Sequence, residues 1–410
     1  MTDRTSTEPA DAAVSEGFTK AVAEAEKLIA TADFIETDAD LAEGYDYLAG
    51  SIAAVLQLAR ARGKSHPHFV TSTGPYTKMG LDNPDTLYYH ATVEPEGTYR
   101  VRGRRGTTVD LSFQVLRGDY TPTDVPGGDD AFDDRRIDLG PDGSFELTFG
   151  PPLADPPAGY VVLGEGASML AVREVYADWQ GEQKGSITIE RVDTAGTAPE
   201  PLTAARAART FDIAGKLLLS RINTWFNFPK WFYYDEPVNT LTLPRRTPGG
   251  LSTQYSSVGH YRLEAGQALL IEVPVHPGAG AADPGPRVYQ GFQLGSLWYI
   301  SLDYQHHQTS LNSVQAQVDP DGVIRMVIAH EHPGVANWIE TTGRRRGIMQ
   351  FRWQRVDEVL GEALAPSISV IDAGDVAAHL PFYDHNRIDP AGWAERIAAR
   401  QRGFASRMLG

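Results

Sequence analysis

Residues 82–93 read DNPDTLYYHATV, and at this stretch the hydrophobic pattern changes from a helical period to a period of two. Side chains alternate between the two faces of a strand, so Tyr88 and His90 share one face while Leu87 and Tyr89 share the other. The stretch therefore predicts a strand with a phenol and an imidazole on the same face, at the start of a β-rich region.

Short β-rich runs separated by Gly, Pro and Asp turns fill residues 64–195 and, after a helical interruption, residues 236–357. Such spacing is typical of antiparallel sandwiches or barrels and not of alternating βαβ units. Asp-Gly at 142–143 and at 321–322 lies between apolar runs, which predicts tight hairpin turns. We predict a mainly β protein of the α+β class, with two antiparallel sandwich-like domains joined by a helix and flanked by N- and C-terminal helices.

Helical spacing of apolar residues predicts further helices before, between and after the two β regions. The predicted parts are a disordered tail (1–8), N-terminal helices (9–63), a first β domain (64–195), a linker helix with an aromatic segment (196–235), a second β domain (236–357) and a C-terminal helical segment (358–410).

The composition excludes several functional classes. The 410 residues include 37 basic and 53 acidic side chains, and the net charge of -16 argues against nucleic-acid or anionic membrane partners. The chain has no cysteine, which excludes disulfides, thiolate metal sites and cysteine nucleophiles. The polar N-terminus lacks an apolar signal core, and no apolar run approaches the roughly 20 residues of a membrane span. We expect a cytoplasmic protein with a small-molecule partner, and a homo-oligomer is left open.

The common catalytic signatures are missing from the sequence. No GxGxxG follows a strand, and there is no GxxxxGK[ST], GxSxG or HExxH motif. These absences disfavour nucleotide-dependent enzymes, α/β-hydrolases and zincins, and we predict no cofactor and no metal.

Histidine and tyrosine on predicted strands supply the candidate catalytic groups. Tyr88 and His90 line either a half-polar surface or a cavity suited to proton transfer. If the strand predicted within 297–312 continues, Tyr304 and His306 also share a face.

His330 and His332, in IAHEHPG at 328–334, would point the same way from a strand and could bind zinc or iron with a third ligand from elsewhere. No motif fixes that third ligand, and Pro333-Gly334 is typical of a strand end with His332 exposed at the turn. His330 is therefore the histidine of interest here.

Aromatic residues are dense in WFNFPKWFYY, at 225–234. Aromatics in such numbers either fill a core between domains or line an apolar ligand cavity there. Trp225 and Trp231 are the candidate ligand contacts from this segment.

Two sets of residues resemble known sequence patterns. Asn83, Asp85, Thr86, Leu87 and Tyr88, with Arg173 in a later strand, form the first set; Trp298, Asp321-Gly322, His330, Pro333-Gly334, Asn337-Trp338 and Arg352-Trp353 form the second. They resemble the bacterial domains of unknown function numbered twelve-fifty-four (N-terminal) and twelve-fourteen (C-terminal), although Pro84 stands where the first pattern usually has Arg. The resemblance implies two β domains of jelly-roll type. In these domains the position of His330 is commonly His and that of His332 commonly a small polar residue, so the resemblance does not imply a two-histidine metal site and leaves His330 either structural or pocket-lining. It carries no general activity.

We predict a cofactor-independent enzyme with acid–base chemistry of the lyase, isomerase or hydrolase type, acting on a small apolar or aromatic metabolite bound between or within the β domains. The candidate catalytic residues are Tyr88, His90, Tyr304, His306 and His330; the candidate substrate-binding residues are Asp85, Arg173, Trp225, Trp231, Trp298, Asn337, Trp338 and Arg352. The alternatives are a non-catalytic protein that binds carbohydrate or a hydrophobic metabolite, and a metal-dependent enzyme with histidine ligands.

Overall fold

The computed structural model describes residues 14–118, 127–246, 253–280 and 287–409. The predicted disordered tail, 1–8, lies outside these ranges. The helices are α1 Glu16–Ala30, α2 Asp38–Ala61, α3 Ala204–Phe232, α4 Val376–His379, α5 Tyr383–Asn386 and α6 Pro390–Leu409. The strands are β1 Thr86–Thr92, β2 Tyr99–Arg104, β3 Asp110–Arg117, β4 Gly128–Asp133, β5 Ser144–Gly150, β6 Tyr160–Val162, β7 Ala167–Val175, β8 Ser186–Arg191, β9 Arg245–Arg246, β10 Tyr255–Arg262, β11 Gln267–Pro274, β12 Tyr289–Gly295, β13 Ser310–Asn312, β14 Val323–Ala329, β15 Trp338–Glu340, β16 Arg346–Gln354 and β17 Ser367–Asp372.

The first eight strands form two sheets around one hydrophobic core. Sheet I has the order β1-β7-β3-β4 and sheet II the order β6-β5-β2-β8. Phe113 of sheet I stacks on Phe132 with 5.4 Å between ring centroids and meets the edge of Phe145 of sheet II at 6.1 Å. Alternate residues of β3 thus face this core, while the residues between them face the rest of the molecule and are buried as well.

The later strands form a second pair of sheets with a core of their own. Sheet III has the order β13-β12-β16-β10-β9 and sheet IV the order β15-β14-β11-β17. Phe292 and Phe351 of sheet III pack with ring centroids 4.7 Å apart, in one cluster with Leu269 and Ile271 of sheet IV. The predicted α+β class with a mainly β content is confirmed: the described chain holds four sheets together with several helices.

The turn predicted at Asp321-Gly322 forms as expected. Gly322 has a φ of 78°, a conformation that glycine adopts without steric cost, and its amide donates to the carbonyl of Asp319. The strand expected to run through Tyr304 and His306 does not continue. Residues 304–307 form a turn in which Asp303 Oδ1 accepts from the backbone N of Gln305 and of His306.

Helices α1, α2 and α3 pack together beside the sheets. Helix α2 begins at a capping box in which Thr37 Oγ1 accepts from Asp40 N at 3.1 Å and Asp40 Oδ2 accepts from Thr37 N at 3.0 Å. The linker helix predicted within 196–235 is α3, which continues to Phe232, through Pro229. Within the described ranges, no helix has both the length and the apolar character that crossing a bilayer requires.

Candidate functional site

A cavity of about 220 Å³ lies where sheet I, sheet III and the helices meet. Its walls come from two sheets, from helices and from loops, and the lining residues are far apart in sequence. Sheet I contributes Thr86, Tyr88, His90, Leu116, Met169, Ala171 and Arg173; sheet III and the segment before it contribute Gln254, Gln350, Arg352 and Gln354; the helices contribute Val55, Leu58, Leu217, Ser220, Arg221, Trp225 and Phe228; the loops contribute Ser72, Thr73, Met79, Gly80, Leu81, Asn83 and Tyr299.

The sheet I wall follows from the alternation of β1 and β7. Tyr88 pairs directly with Arg173, and His90 pairs with Ala171, so all four side chains lie on the face that Leu87 and Tyr89 do not share. Just before β1, Asn83 Oδ1 accepts from the backbone N of Asp85 at 3.1 Å, which is the geometry of an Asx turn. In the same turn, the backbone N of Asn83 donates to the Tyr88 hydroxyl oxygen at 2.8 Å.

His90 is held in its neutral form. Its Nδ1 lies 3.0 Å from Ser72 Oγ, which leaves Nε2 as the ring nitrogen available to a bound molecule. Burial, together with the positive charges of Arg173 and Arg221, lowers the pKa of His90 to about 3. His90 is therefore an uncharged imidazole at neutral pH.

Tyr88 keeps its proton as well. Burial raises the pKa of the phenol above its ordinary value, and the charge of Arg352 and the hydrogen bond from Asn83 only partly offset this effect. Because the oxygen already accepts from Asn83 N, the hydroxyl hydrogen is the part that Tyr88 can offer to a ligand.

Arg352 projects from β16 on the opposite wall, where it is 8% exposed. Its guanidinium donates to Gln293 Oε1, to the carbonyl oxygen of Leu81 and, at 3.1 Å, to Gln350 Oε1. These three acceptors are neutral dipoles, so they fix the orientation of the cation without cancelling its charge.

Helix α3 supplies an aromatic wall. Leu217, Arg221, Trp225 and Phe228 recur at spacings of three and four residues and so share one face of the helix. Trp225 and Phe228 each lie nearly parallel to the ring of Tyr299, with centroids 5.8 and 4.8 Å apart. Arg221 donates from Nη2 to the carbonyl oxygens of Thr77 and Lys78, and these bonds tie the loop at 72–83 to the helix.

Two residues of the wall have strained backbones. Leu81 and Tyr299 have φ of 50° and 57°, in the left-handed region that costs a side chain with a Cβ about 1 kcal/mol or more. They are joined by a hydrogen bond from Leu81 N to Tyr299 O of 2.6 Å. Strain of this kind persists where the surroundings over-determine it, which is common at functional sites.

Several buried polar atoms of the wall lack an internal partner. Among the described residues, Thr73 Oγ1, Thr86 Oγ1, Ser220 Oγ and Gln354 Oε1 have no hydrogen-bond partner. Buried polar atoms are nearly always paired with protein, water or ligand, so these four atoms mark where a bound molecule or water would be held.

Five of the residues predicted from sequence meet in this cavity: Tyr88, His90, Arg173, Trp225 and Arg352. Asp85, predicted as a substrate contact, lies outside it. Its carboxylate accepts from Trp179 Nε1 at 2.6 Å, from Tyr289 OH at 2.7 Å and from Asn312 Nδ2 at 3.1 Å. Asp85 thus connects the first β region with β12 and β13.

The predicted residues Tyr304 and His306 lie in the turn after Tyr299. Tyr304 is buried against Trp179, Phe404 and Arg407, and burial raises the pKa of its phenol above the ordinary value. His306 is exposed, with Nδ1 2.9 Å from Asp303 Oδ2. Neither side chain lines the cavity.

Trp298 and Trp231, both predicted as substrate contacts, also lie outside the cavity. Trp298 sits in the helical core, where its Nε1 donates to the Asp40 carbonyl at 2.8 Å. Trp231 packs beside Phe228, with centroids 6.3 Å apart, and belongs to the cluster behind the aromatic wall.

The IAHEHPG stretch lies away from the cavity. It contains the end of β14 and leads toward β15, the strand at one edge of sheet IV. His330 Nδ1 is 2.8 Å from Thr341 Oγ1, while the exposed His332 accepts from Gly334 N and fits between the rings of Trp338 and Trp393. Within the described part of the chain, no group of three His, Cys, Asp or Glu residues is placed to hold a metal ion.

Asn337 and Trp338, predicted as substrate contacts, satisfy buried backbone groups near the same edge. Asn337 Nδ2 donates to the carbonyls of Gln317 and Arg325, and Trp338 Nε1 donates to Ala329 O at 3.0 Å. Their contacts are structural, and they do not line the cavity.

Sequence reasoning missed Arg221, Ser72 and the glutamines of β16. Arg221 had a signal: it is a charged residue on an otherwise apolar helical stripe, four residues before Trp225. Ser72 lies in an irregular loop and meets His90 only through the fold, so no local pattern identifies it.

No family model and no curated protein matches this chain. Among solved structures, its fold is similar to the crystal structure of an uncharacterized protein from Burkholderia cenocepacia, with a TM-score of 0.76 and 27% identity over 88% of this chain and 96% of that one. A structural genomics target from Vibrio parahaemolyticus is similar at a TM-score of 0.44 and 10% identity, over 80% of this chain and 98% of that one. The Burkholderia cenocepacia neighbour is thus an uncharacterised bacterial protein.

Proposed function

We propose that the chain is a cofactor-independent enzyme that binds a small apolar or aromatic metabolite in the cavity between sheets I and III. The observation that carries this proposal is the convergence of Tyr88, His90, Arg173, Trp225 and Arg352, from four separate elements, on one cavity of about 220 Å³. A few directed polar groups in an otherwise apolar, aromatic pocket are typical of small-molecule sites.

The proposed chemistry is proton transfer of the lyase, isomerase or hydrolase type. In the tautomer in which Nδ1 donates to Ser72 Oγ, His90 offers Nε2 as an acceptor. Tyr88 offers its hydroxyl hydrogen as a donor from the neighbouring position on the same face of β1. Such a pair can take a proton from one atom of a bound molecule and support charge on another.

A second candidate is binding without chemistry. The observation that favours it is the His90 pKa of about 3, because a general base works best with a pKa near the operating pH. Under this alternative, Tyr88 and His90 orient a ligand through hydrogen bonds and no bond is made or broken.

Product analysis separates the two candidates. The protein would be incubated with a panel of aromatic and apolar metabolites, and the mixtures analysed by liquid chromatography with mass spectrometry, so that an isomer of equal mass is separated from its substrate. We expect a product with the wild type and its loss in Tyr88→Phe and His90→Gln, whereas His306→Ala and His330→Ala, outside the cavity, retain activity. Recovery of every bound compound unchanged would favour the binding protein, and loss of activity only in the two control variants would refute the assignment of this cavity.

We further propose that the chain belongs to the two-domain bacterial family that its sequence resembles. Residues 64–195 form one jelly-roll-like domain, and residues 236–357, together with β17 of sheet IV, form the other. Support comes from the placement of the first pattern: Asn83 and Tyr88 are hydrogen-bonded, and Tyr88 pairs with Arg173. Limited proteolysis tests the division of the chain into these two domains. Cleavage should concentrate in the exposed linker 195–203 and leave both β regions intact.

A further inference from the structure

The charges of the cavity wall differ in sign from those of the chain as a whole. The protein has a net charge of -16, yet the described residues that line the cavity include three arginines and no aspartate or glutamate. Arg173, Arg221 and Arg352 come from β7, α3 and β16, so the positive charge arrives from three sides. A guanidinium stays protonated at any physiological pH.

Arg352 is built as a fixed donor. Its bonds to Gln293, Gln350 and the Leu81 carbonyl hold the guanidinium in place before any ligand arrives. The Asp82 carboxyl behind this wall is bonded to Ser301 Oγ at 2.8 Å; burial raises its pKa, and Lys78 offsets this effect more than Arg352 does. Asp82 therefore does not serve as the dedicated counter-ion of Arg352.

The positive field reaches the centre of the cavity from the other wall as well. Arg173 is the direct cross-strand partner of Tyr88 and donates from Nη1 to Gln114 Oε1 at 3.0 Å. Arg173 and Arg221 both disfavour a proton on His90, and Arg352 and Arg173 both favour ionisation of Tyr88. The same charges that disfavour the imidazolium and favour the phenolate would attract the negative charge of a bound anion.

The remaining lining fits a molecule with an acidic head and an apolar body. Thr73 and Thr86 are 5% and 8% exposed, and their hydroxyls have no partner among the described residues. They can donate to the oxygens of an acid, while Trp225 and Phe228 offer ring faces to its body. The cavity volume of about 220 Å³ exceeds the roughly 150 Å³ of an engineered apolar protein cavity that binds benzene. The difference leaves room for a short acidic chain beside one ring.

We propose that the molecule bound in this cavity is an aromatic or apolar monocarboxylate, with its carboxylate between Arg352 and Arg173 and its body against Trp225 and Phe228. The proposal rests on the proposed function, because it names the class of molecule that the same cavity takes.

Isothermal titration calorimetry with three probes of similar size tests the preference for a carboxylate. The probes are 3-phenylpropanoate, its neutral amide 3-phenylpropanamide, and the cation 3-phenylpropylammonium. At neutral pH we expect the acid to bind the wild type at least about tenfold more tightly than the amide, and the cation to bind most weakly.

Two variants assign the preference to the cavity. Arg173→Gln should lower the affinity for the acid about tenfold or more and leave that for the amide nearly unchanged, so the acid–amide difference shrinks. Arg102→Gln, on an exposed position of β2, removes the same charge outside the cavity and should change neither affinity. The comparison of acid and amide on the wild type needs no variant, so a folding defect in Arg173→Gln would not spoil the test.

The outcomes distinguish the two proposals. Equal affinities for acid and amide, or an Arg173→Gln variant that keeps the preference, would overturn the carboxylate and leave the cavity as a site for neutral molecules. If none of the three probes binds at millimolar concentration, the proposed function falls and the carboxylate falls with it.

Discussion

Tyr88 and Arg173 face each other directly across β1 and β7, in an antiparallel register that continues through His90 and Ala171. This pairing puts the phenol and the guanidinium on the same side of sheet I, away from the core that sheets I and II share. The positive charge of Arg173 acts on both Tyr88 and His90, so the protonation of these two side chains depends on what the cavity contains.

His90→Gln should weaken the acid sensitivity of the fold. The pKa of His90 is about 3 in the folded state against 6.5 ordinarily, so below about pH 6.5 the unfolded chain takes up a proton that the folded chain refuses. Stability is lost as the pH falls through this window, and at about pH 4.5 this group accounts for roughly 2 to 3 kcal/mol. Urea unfolding near neutral pH and near pH 4.5 measures the loss. An equal loss in wild type and variant would show that His90 titrates normally.

Binding of a carboxylate should raise the pKa of His90. The anion offsets the charges of Arg173 and Arg221 that disfavour the imidazolium, and it offers the ring an acceptor. Titration followed by NMR of the imidazole, with and without saturating 3-phenylpropanoate, would measure the shift. The exposed His306, beside Asp303 and outside the cavity, is the internal control and should not respond. An unchanged His90 in the saturated protein would place the acid elsewhere.

Gly44→Ala should destabilise the protein although alanine is the better helix former. A Cβ on Gly44 would clash with Cζ2 of Trp298 and would lie 2.8 Å from Cγ2 of Ile29, both in the helical core. Overpacking of this kind costs about 1 to 3 kcal/mol, more than the roughly 1 kcal/mol that alanine gains in helix propensity. Chemical denaturation would measure the change. Gly17→Ala is the matched control, because its new Cβ meets only the end of the exposed Asp212 side chain. Equal midpoints for both variants would contradict the close approach.

Asp85→Ala should destabilise the fold strongly. The substitution leaves the buried donors of Trp179, Tyr289 and Asn312 without this acceptor, and loss of one member of a buried charged network typically costs about 3 to 5 kcal/mol. The free energy of unfolding in urea is the measurement. Asp155→Ala, in an exposed loop, serves as the control and should stay within about 0.5 kcal/mol of the wild type. A stability for Asp85→Ala close to that of the control would mean that the network contributes little.

Asp110→Asn should stabilise the protein under mildly alkaline conditions. Burial raises the pKa of Asp110 to about 7 from 3.8, despite Arg355, whose Nη1 lies 3.6 Å from Oδ1. Between these two pH values the folded state holds a proton that the unfolded state has lost, so stability falls as the pH rises to about 7. The variant lacks this titration, and we expect a gain of roughly 2 kcal/mol at about pH 8 relative to about pH 5. Thermal unfolding at the two pH values measures it, and parallel pH profiles of variant and wild type would refute the raised pKa.

Local patterns were enough to predict the part of the site that lies on regular strands. The even spacing of Tyr88 and His90 fixes their common face, and the apolar residues between them fix which face is turned to the core. Arg352 and Arg173 came from the resemblance, and both lie in the cavity. Trp225 was one of two aromatic candidates on its helix, and the helical period decides between it and Trp231, because Trp225 shares a face with Leu217 and Arg221.

Local patterns do not predict where the other candidate residues lie, because the contacts that place them form only in the folded chain. Trp298 looked like a pocket residue, yet its partners Asp40 and Gly44 lie more than two hundred positions earlier in α2. His306 was placed on a strand by its alternating neighbours, but Asp303 binds the backbone of the next residues and turns the chain instead. Asp85 has the residue type of a ligand contact, and only the fold reveals the three donors that already occupy it.

The cavity walls run from Val55 to Gln354, so the site exists only when nearly the whole chain has folded. A nascent chain that has not yet made β16 lacks Arg352, so it would lack the affinity for a carboxylate that we propose for the complete cavity. Conversely, a molecule that binds only the finished cavity draws the folding equilibrium toward the native state by mass action, by about 2.7 kcal/mol at a concentration one hundred times its dissociation constant. The melting temperature of the intact protein is therefore itself an assay, and a compound library can be screened for the natural ligand before any reaction is known.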